Sequence, residues 1–121
     1  MRTLLLCFAV ISLIECAVFP SVVVTISMHI EDSSATWPNR TNLVNFVNRI
    51  TECGMKFSLG PDYSWLNTIA LHDQPQPNTN NLPILPWLVQ MGVELDPHCH
   101  ESQLKNSADV ANLIIAAGGV S

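Results

Sequence analysis

A nearly continuous apolar run over residues 21–30 constrains the fold of this chain more than any other feature. Positions 22 to 26 read Val, Val, Val, Thr and Ile, and all of these residues are β-branched. Such residues favour strands, and a run without polar alternation is typical of a strand buried on both faces. The sequence therefore predicts a buried strand of a parallel sheet or barrel.

Helical and extended patterns alternate along the rest of the chain. Leu43, Phe46, Val47 and Ile50 recur at helical spacing, and Gly54 follows as a stop signal. Strands that alternate with helices imply βαβ units, an α/β fold class and a parallel sheet whose strand C-terminal ends share one edge. We predict further strands over residues 55–59 and 93–98, and helices over residues 41–53, 62–72, 82–91 and 108–117, the last capped by Ser107.

Size and charge limit the classes of function. The 121 residues suffice for one small domain, and the formal net charge is −5. The five cationic residues are scattered singly, so no basic patch is available to neutralise phosphates. Nucleic acid is therefore not an expected partner.

The N-terminus is typical of a secretory signal peptide over residues 1–17. Arg2 supplies the positive start, residues 4–14 form an apolar core too short for a membrane span, and cleavage is expected after Ala17. We expect a secreted or periplasmic protein without a stable membrane span after cleavage. A membrane anchor or a buried strand is the alternative interpretation. Two cysteines, Cys53 and Cys99, follow this segment and could form one disulfide.

A His-x-His-Glu sequence follows the third predicted strand. In an extended backbone His98 and His100 project to one side while Cys99 points away. A second polar cluster, His29 to Asp32, closes the first strand. Because parallel strands place their C-terminal ends at one edge, we expect the two clusters to meet.

The two clusters supply the groups that a hydrolytic metal site needs. Such a site typically has three protein ligands and a water, and Asp32, His98 and His100 could be the ligands. Glu31 could act as general base. Glu101 could orient an imidazole or serve as an alternative base. The competing interpretation is that the His-x-His pair binds no metal, as is common for so short a motif.

These residues resemble motifs of the polysaccharide deacetylase (NodB-homology) superfamily. The strand that ends in Glu31-Asp32 resembles its first motif, and the segment from Met91 to His98 resembles its second. The chain is especially similar to a group of secreted deacetylase-like proteins. The similarity covers residues 21–120, and its shared segments here are His-Ile-Glu-Asp at 29–32, Glu-Leu-Asp-Pro-His at 94–98 and Ala-Asp-Val at 108–110.

The resemblance implies a distorted (β/α) barrel with a divalent metal, often zinc, that removes acetyl groups from amino sugars. It implies that Glu31 is the base and that Asp32 and His98 are ligands. The family's usual acidic pair is Asp-Asp, and its second histidine would fall at Ser102, whereas this chain has His100. The family's later motifs are absent. We therefore expect residues 18–121 to be the N-terminal part of such a domain, since a (β/α) barrel typically has about 250 residues.

Two other functions fit the same residues. A phosphoesterase or amidohydrolase could also use His-x-His, although such enzymes usually carry it on the first strand. A non-catalytic carbohydrate-binding or structural domain of the same fold is the alternative outside the enzyme class. A carbohydrate is the expected substrate or ligand in both the deacetylase and the binding-domain interpretations.

Overall fold

The described residues form three strands and four helices, and each strand is followed by one or two helices. The structure, a computed structural model, describes residues 24–31, 40–100 and 103–120. A short 3₁₀ turn at Pro77–Thr79 lies between the second and third helices. The strands are β1 (Thr25–Ile30), β2 (Lys56–Pro61) and β3 (Glu94–Leu95), and the helices are α1 (Arg40–Glu52), α2 (Tyr63–His72), α3 (Ile84–Gln90) and α4 (Ser107–Ala116).

The strands form a parallel sheet in the order β1-β2-β3. In its register Thr25 is opposite Lys56, Ile30 is opposite Pro61, and Leu59 is opposite Leu95. The predicted α/β class with a parallel sheet is confirmed. Within the described residues the sheet has three strands, and a complete barrel is not shown.

The prediction that the first strand is buried on both faces is wrong for its described part. From Ile26 to Ile30, β1 alternates between half-buried and exposed residues. The strand that is buried on both faces is β2, where residues 57–61 are all buried. The physical reason is position, because β2 has a hydrogen-bonded neighbour on each side and α1 and α2 connect to it directly.

Two strand ends differ from the predicted bounds. The second strand extends past the predicted bounds of 55–59, because Gly60 and Pro61 belong to β2 and pair with β1. The third strand is assigned over two residues rather than residues 93–98. Its hydrogen bonding nevertheless continues, because the Asp96 amide donates to Leu59 (3.0 Å) and the His98 amide donates to Pro61 (3.2 Å).

Side-chain caps fix the N-terminal ends of α2 and α4. Asp62 precedes α2 and accepts a hydrogen bond from the Trp65 amide at 2.7 Å. The predicted cap of the last helix, Ser107, is instead its first residue. Asn106 is the cap, and with Asp109 it forms a reciprocal capping box. Asn106 occupies the cap position because its carboxamide oxygen accepts hydrogen bonds from two backbone amides of the first turn.

The described strands and helices share one hydrophobic core, which lies between the sheet and the helices. Trp65 and Trp87 are almost completely buried in it, as expected for residues that pack helices against a sheet. Leu59 of the central strand and Val47 of α1 have no exposed surface. The α4 residues that join this core are Val110 and Ile114.

A buried arginine joins α1 to the connection between α2 and α3. Nε of Arg40 donates to Asp73 at 2.7 Å, and the guanidinium also contacts Thr79 and Asn78. The other Asp73 oxygen accepts from the Ile84 amide at 2.6 Å, at the start of α3. One ion pair therefore anchors two helices and the long polar loop between them.

Two further predictions concern the surroundings of the protein. In the part of the chain that the structure describes, no helix has both the length and the apolar character needed to cross a membrane. Cys53 and Cys99 are both free thiols, so the disulfide considered from the sequence is not formed. The predicted signal peptide lies outside the described residues.

Candidate metal centre

The two polar clusters meet at the C-terminal edge of the sheet, as the parallel topology predicts. Nε2 of His98 lies 3.0 Å from Oε1 of Glu31, and Nε2 of His100 lies 3.2 Å from the same oxygen. Cys99 points elsewhere, with its Sγ 3.4 Å from the Ser107 hydroxyl. Two imidazoles on one side of the chain therefore converge on one carboxylate that lies 67 positions before the first of them.

A third imidazole belongs to this group. The ring of His29 stacks on the ring of His98, with centroids 3.8 Å apart and planes inclined by 26°. The ring of His100 meets that of His98 edge-on, at 4.7 Å. We refer to His29, Glu31, His98 and His100 together as the histidine cluster.

Gly60 of the central strand makes the stacking of the rings possible. It is opposite His29 in the β1–β2 register. A Cβ atom at Gly60 would lie 2.9 Å from Cδ2 of His29 and 3.4 Å from Cβ of His98. The first separation is shorter than van der Waals contact, so a side chain at this position would force the His29 ring to move.

The segment that carries His98 is held by hydrogen bonds to β2. The Ser58 hydroxyl donates to Oδ2 of Asp96 at 2.6 Å, next to the amide bonds that continue the ladder. This hydrogen bond ties the Asp96 carboxylate to the central strand and fixes the register of the imidazoles above the sheet edge.

A third carboxylate at this edge is already engaged. Asp62 directly follows β2 and is 1% exposed. Besides capping α2, it accepts a hydrogen bond from Nε2 of Gln103 at 2.6 Å. That amide also contacts the Ser64 hydroxyl at 3.0 Å. Asp62 is thus a structural residue that ties α2 to the segment before α4.

The histidine cluster contains a group that could hold a metal ion. One ligand atom from each of His29, Glu31 and His98 lies within 4.8 Å of the other two. A tetrahedral zinc site with bonds of about 2.0–2.1 Å needs ligand atoms roughly 3.4 Å apart. The His98–Glu31 pair, at 3.0 Å, is close to that spacing, whereas the His29 atom is placed only within the wider limit of 4.8 Å. Groups of this kind also occur where no metal binds.

The cluster is accessible to water. The side chain of Glu31 is 47% exposed, that of His100 38% and that of His98 22%. Contacts between exposed charged groups are screened and contribute little to stability by themselves. The arrangement therefore suits the binding of a solute better than the stabilisation of the fold.

Several predicted site residues can now be located. Glu31, His98 and His100 lie together, whereas Asp32 and Glu101 are outside the described residues, so their predicted roles stay predictions. The sequence patterns did not indicate Gly60 and did not identify His29 as a ligand. The signal for His29 was its spacing, since residues 29 and 31 share one side of a strand. No local signal singled out Gly60, because its importance depends on which ring lies opposite.

Comparisons of the chain with protein-family models, with curated proteins and with solved structures find no match.

Proposed function

We propose that this chain is a metal-dependent hydrolase-like domain that deacetylates N-acetylated carbohydrate. The observation that carries the proposal is the convergence of His98 and His100 on Glu31 at the C-terminal edge of parallel strands. That edge is where α/β folds build their sites. The resemblance to polysaccharide deacetylases supplies the reaction class, and under this proposal the three-stranded sheet is part of a (β/α) barrel.

The proposed site takes its ligands from both clusters. His98, His100 and Asp32 would hold the divalent metal, for which zinc is the best match to imidazole and carboxylate ligands. A bound metal of this kind lowers the pKa of a coordinated water and polarises a carbonyl. Glu31, next to the imidazoles, would accept a proton during hydrolysis, and Glu101 is the second candidate for that role.

The exposure of the cluster supports a large substrate. Glu31 and His100 are each more than one-third exposed, so an acetylated sugar oligomer could approach them from solvent. A secreted protein would meet such oligomers outside the cell. Export through a signal peptide at residues 1–17 is part of the proposal, and N-terminal sequencing of the exported protein should give Val18 as the first residue.

The test measures metal content and acetate release on the full chain. Zinc-loaded protein is incubated with N-acetylglucosamine oligomers, and free acetate and oligomer binding are measured. We expect acetate release that disappears with a chelator and with His98→Ala. His72→Ala is the matched control, because His72 is an exposed histidine at the end of α2.

Two results would contradict the hydrolase proposal. Oligomer binding without acetate release would favour the non-catalytic carbohydrate-binding domain. Failure to bind any divalent metal, or equal metal binding by wild type and His98→Ala, would exclude the metal site itself.

A further inference from the structure

We propose that His29, Glu31 and His98 are the protein ligands of the metal and that His100 orients the Glu31 carboxylate from outside the coordination sphere. This inference rests on the metal-binding part of the proposed function and changes its ligand set. It makes His29 a ligand, and it makes Glu31 a ligand instead of the base.

The position of His29 is the first support. Its ring lies over a glycine, the one residue type that leaves room for it, and one of its ring nitrogens lies within 4.8 Å of ligand atoms of Glu31 and His98. His29 and Glu31 are two residues apart at the end of β1, so both side chains leave the same side of the strand. A metal between them and His98 would link β1 to the segment after β3.

The position of Glu31 is the second support. Its Oε1 atom is already 3.0 Å from Nε2 of His98, close to the spacing of two ligands on one zinc ion. A carboxylate in that position is available to coordinate the metal directly. A general base would instead have to lie farther from the metal, on the other side of the metal-bound water. With two imidazoles and one carboxylate bound, a fourth tetrahedral position stays open for water.

The role of His100 follows from the same distances. Its Nε2 lies 3.2 Å from Glu31 but its ring meets His98 only edge-on. An imidazole N–H that donates to a coordinating carboxylate orients it, and such partners change metal affinity by about 10–100-fold. This assignment accounts for the departure from the deacetylase pattern at position 100, because that histidine need not replace the family's second ligand.

The experiment measures zinc affinity by competition with a chromogenic chelator on the full chain. We expect His29→Ala, Glu31→Ala and His98→Ala each to weaken zinc binding by more than 100-fold, and His100→Ala by about 10-fold. His72→Ala should bind zinc as the wild type does. Because His29 and Glu31 are exposed, circular dichroism of the metal-free variants should match that of the wild type.

A cysteine substitution gives a direct readout of coordination. His29→Cys loaded with Co²⁺ should show a thiolate-to-cobalt charge-transfer band in the near ultraviolet that wild type lacks. His72→Cys is the control and should show none. The substitution replaces one zinc-competent ligand with another, so binding should be retained.

The outcomes separate this inference from the proposed function. Zinc binding that needs His98 but not His29, with no charge-transfer band for His29→Cys, would overturn the ligand set and leave the hydrolase proposal standing. Zinc binding that needs His29, together with no acetate release, would support the ligand set and overturn the hydrolase proposal. A wild-type chain that binds no zinc would overturn both.

Discussion

His29 on β1 lies opposite Gly60 on β2, and a methyl group at Gly60 would come within 2.9 Å of the His29 ring. Gly60 therefore leaves the space that the stacked imidazoles occupy. Its φ is not in the left-handed region, so an alanine could adopt the same backbone. The alanine Cβ would contact the ring of His29, which is exposed and can rotate away.

Gly60→Ala should weaken zinc binding with little effect on folding. We expect a drop in zinc affinity of about 10-fold. Displacement of the His29 ring would misalign its nitrogen with the metal but would keep the imidazole near the site. Zinc competition and urea unfolding of the metal-free protein are the two measurements.

The double variant His29→Ala/Gly60→Ala tests the cause. If Gly60 acts through His29, adding Gly60→Ala to His29→Ala should change zinc affinity by less than about twofold. Additive losses would show that Gly60 supports the site by another route.

Asp73→Asn should strongly destabilise the fold. The change leaves the Arg40 guanidinium, whose side chain is 3% exposed, without its charged partner. Breaking one side of a buried ion pair typically costs about 3–5 kcal/mol. The matched control is Glu52→Gln, which neutralises the carboxylate of the exposed Arg49–Glu52 pair on α1 and should cost less than about 1 kcal/mol. Urea unfolding compares the two, and equal losses would contradict the structural role of Arg40.

Asp62→Ala should cost more stability than Asn106→Ala. Both remove a helix cap, which typically contributes about 0.5–2 kcal/mol. Asp62 is buried and also accepts a hydrogen bond from Gln103, so its loss removes this bond as well and leaves the Gln103 amide with the Ser64 hydroxyl alone. Asn106 is exposed, and water can replace it. Thermal unfolding of the metal-free variants is the measurement. A larger loss of stability for Asn106→Ala would contradict the structural role of Asp62 at the start of α2.

Cys53 and Cys99 should react with thiol reagents at different rates. Cys53 is exposed, whereas Cys99 is partly buried against the core and contacts the Ser107 hydroxyl. We expect faster alkylation of Cys53 in the native protein and equal rates in denaturant, followed by mass spectrometry of the peptides. Protection of both thiols that is lost only on reduction would show a disulfide and contradict the structure.

The sequence predicted those elements whose signals are local. Leu43, Val47 and Ile50 follow the helical period and are all buried on α1. Phe46 follows the same spacing, yet it is 36% exposed, and its ring contacts that of Phe57 edge-on. Local spacing fixes the side of a helix, and the neighbouring strand decides how deeply each residue on that side is buried.

The prediction failed where a feature depends on a distant partner. Gly60 and Pro61 are turn-forming residues by local preference, but pairing with His29 and Ile30 keeps them in β2. The apolar sequence of the first strand predicts a strand in the interior of the sheet, whereas the central strand is β2. Intrinsic β-propensity does not distinguish an edge strand from a central one.

The sequence by itself determined the alternation of strands and helices, the parallel sheet and the meeting of Glu31 with His98 and His100. These follow from periodicity and from the rule that right-handed crossovers place strand ends at one edge. Only the tertiary structure decided that β2 is central, that Asp62 and Asp96 are engaged in structural hydrogen bonds, and that His29 stacks on His98 above Gly60. These depend on register and side-chain packing between segments far apart in the chain, which one-dimensional patterns do not encode.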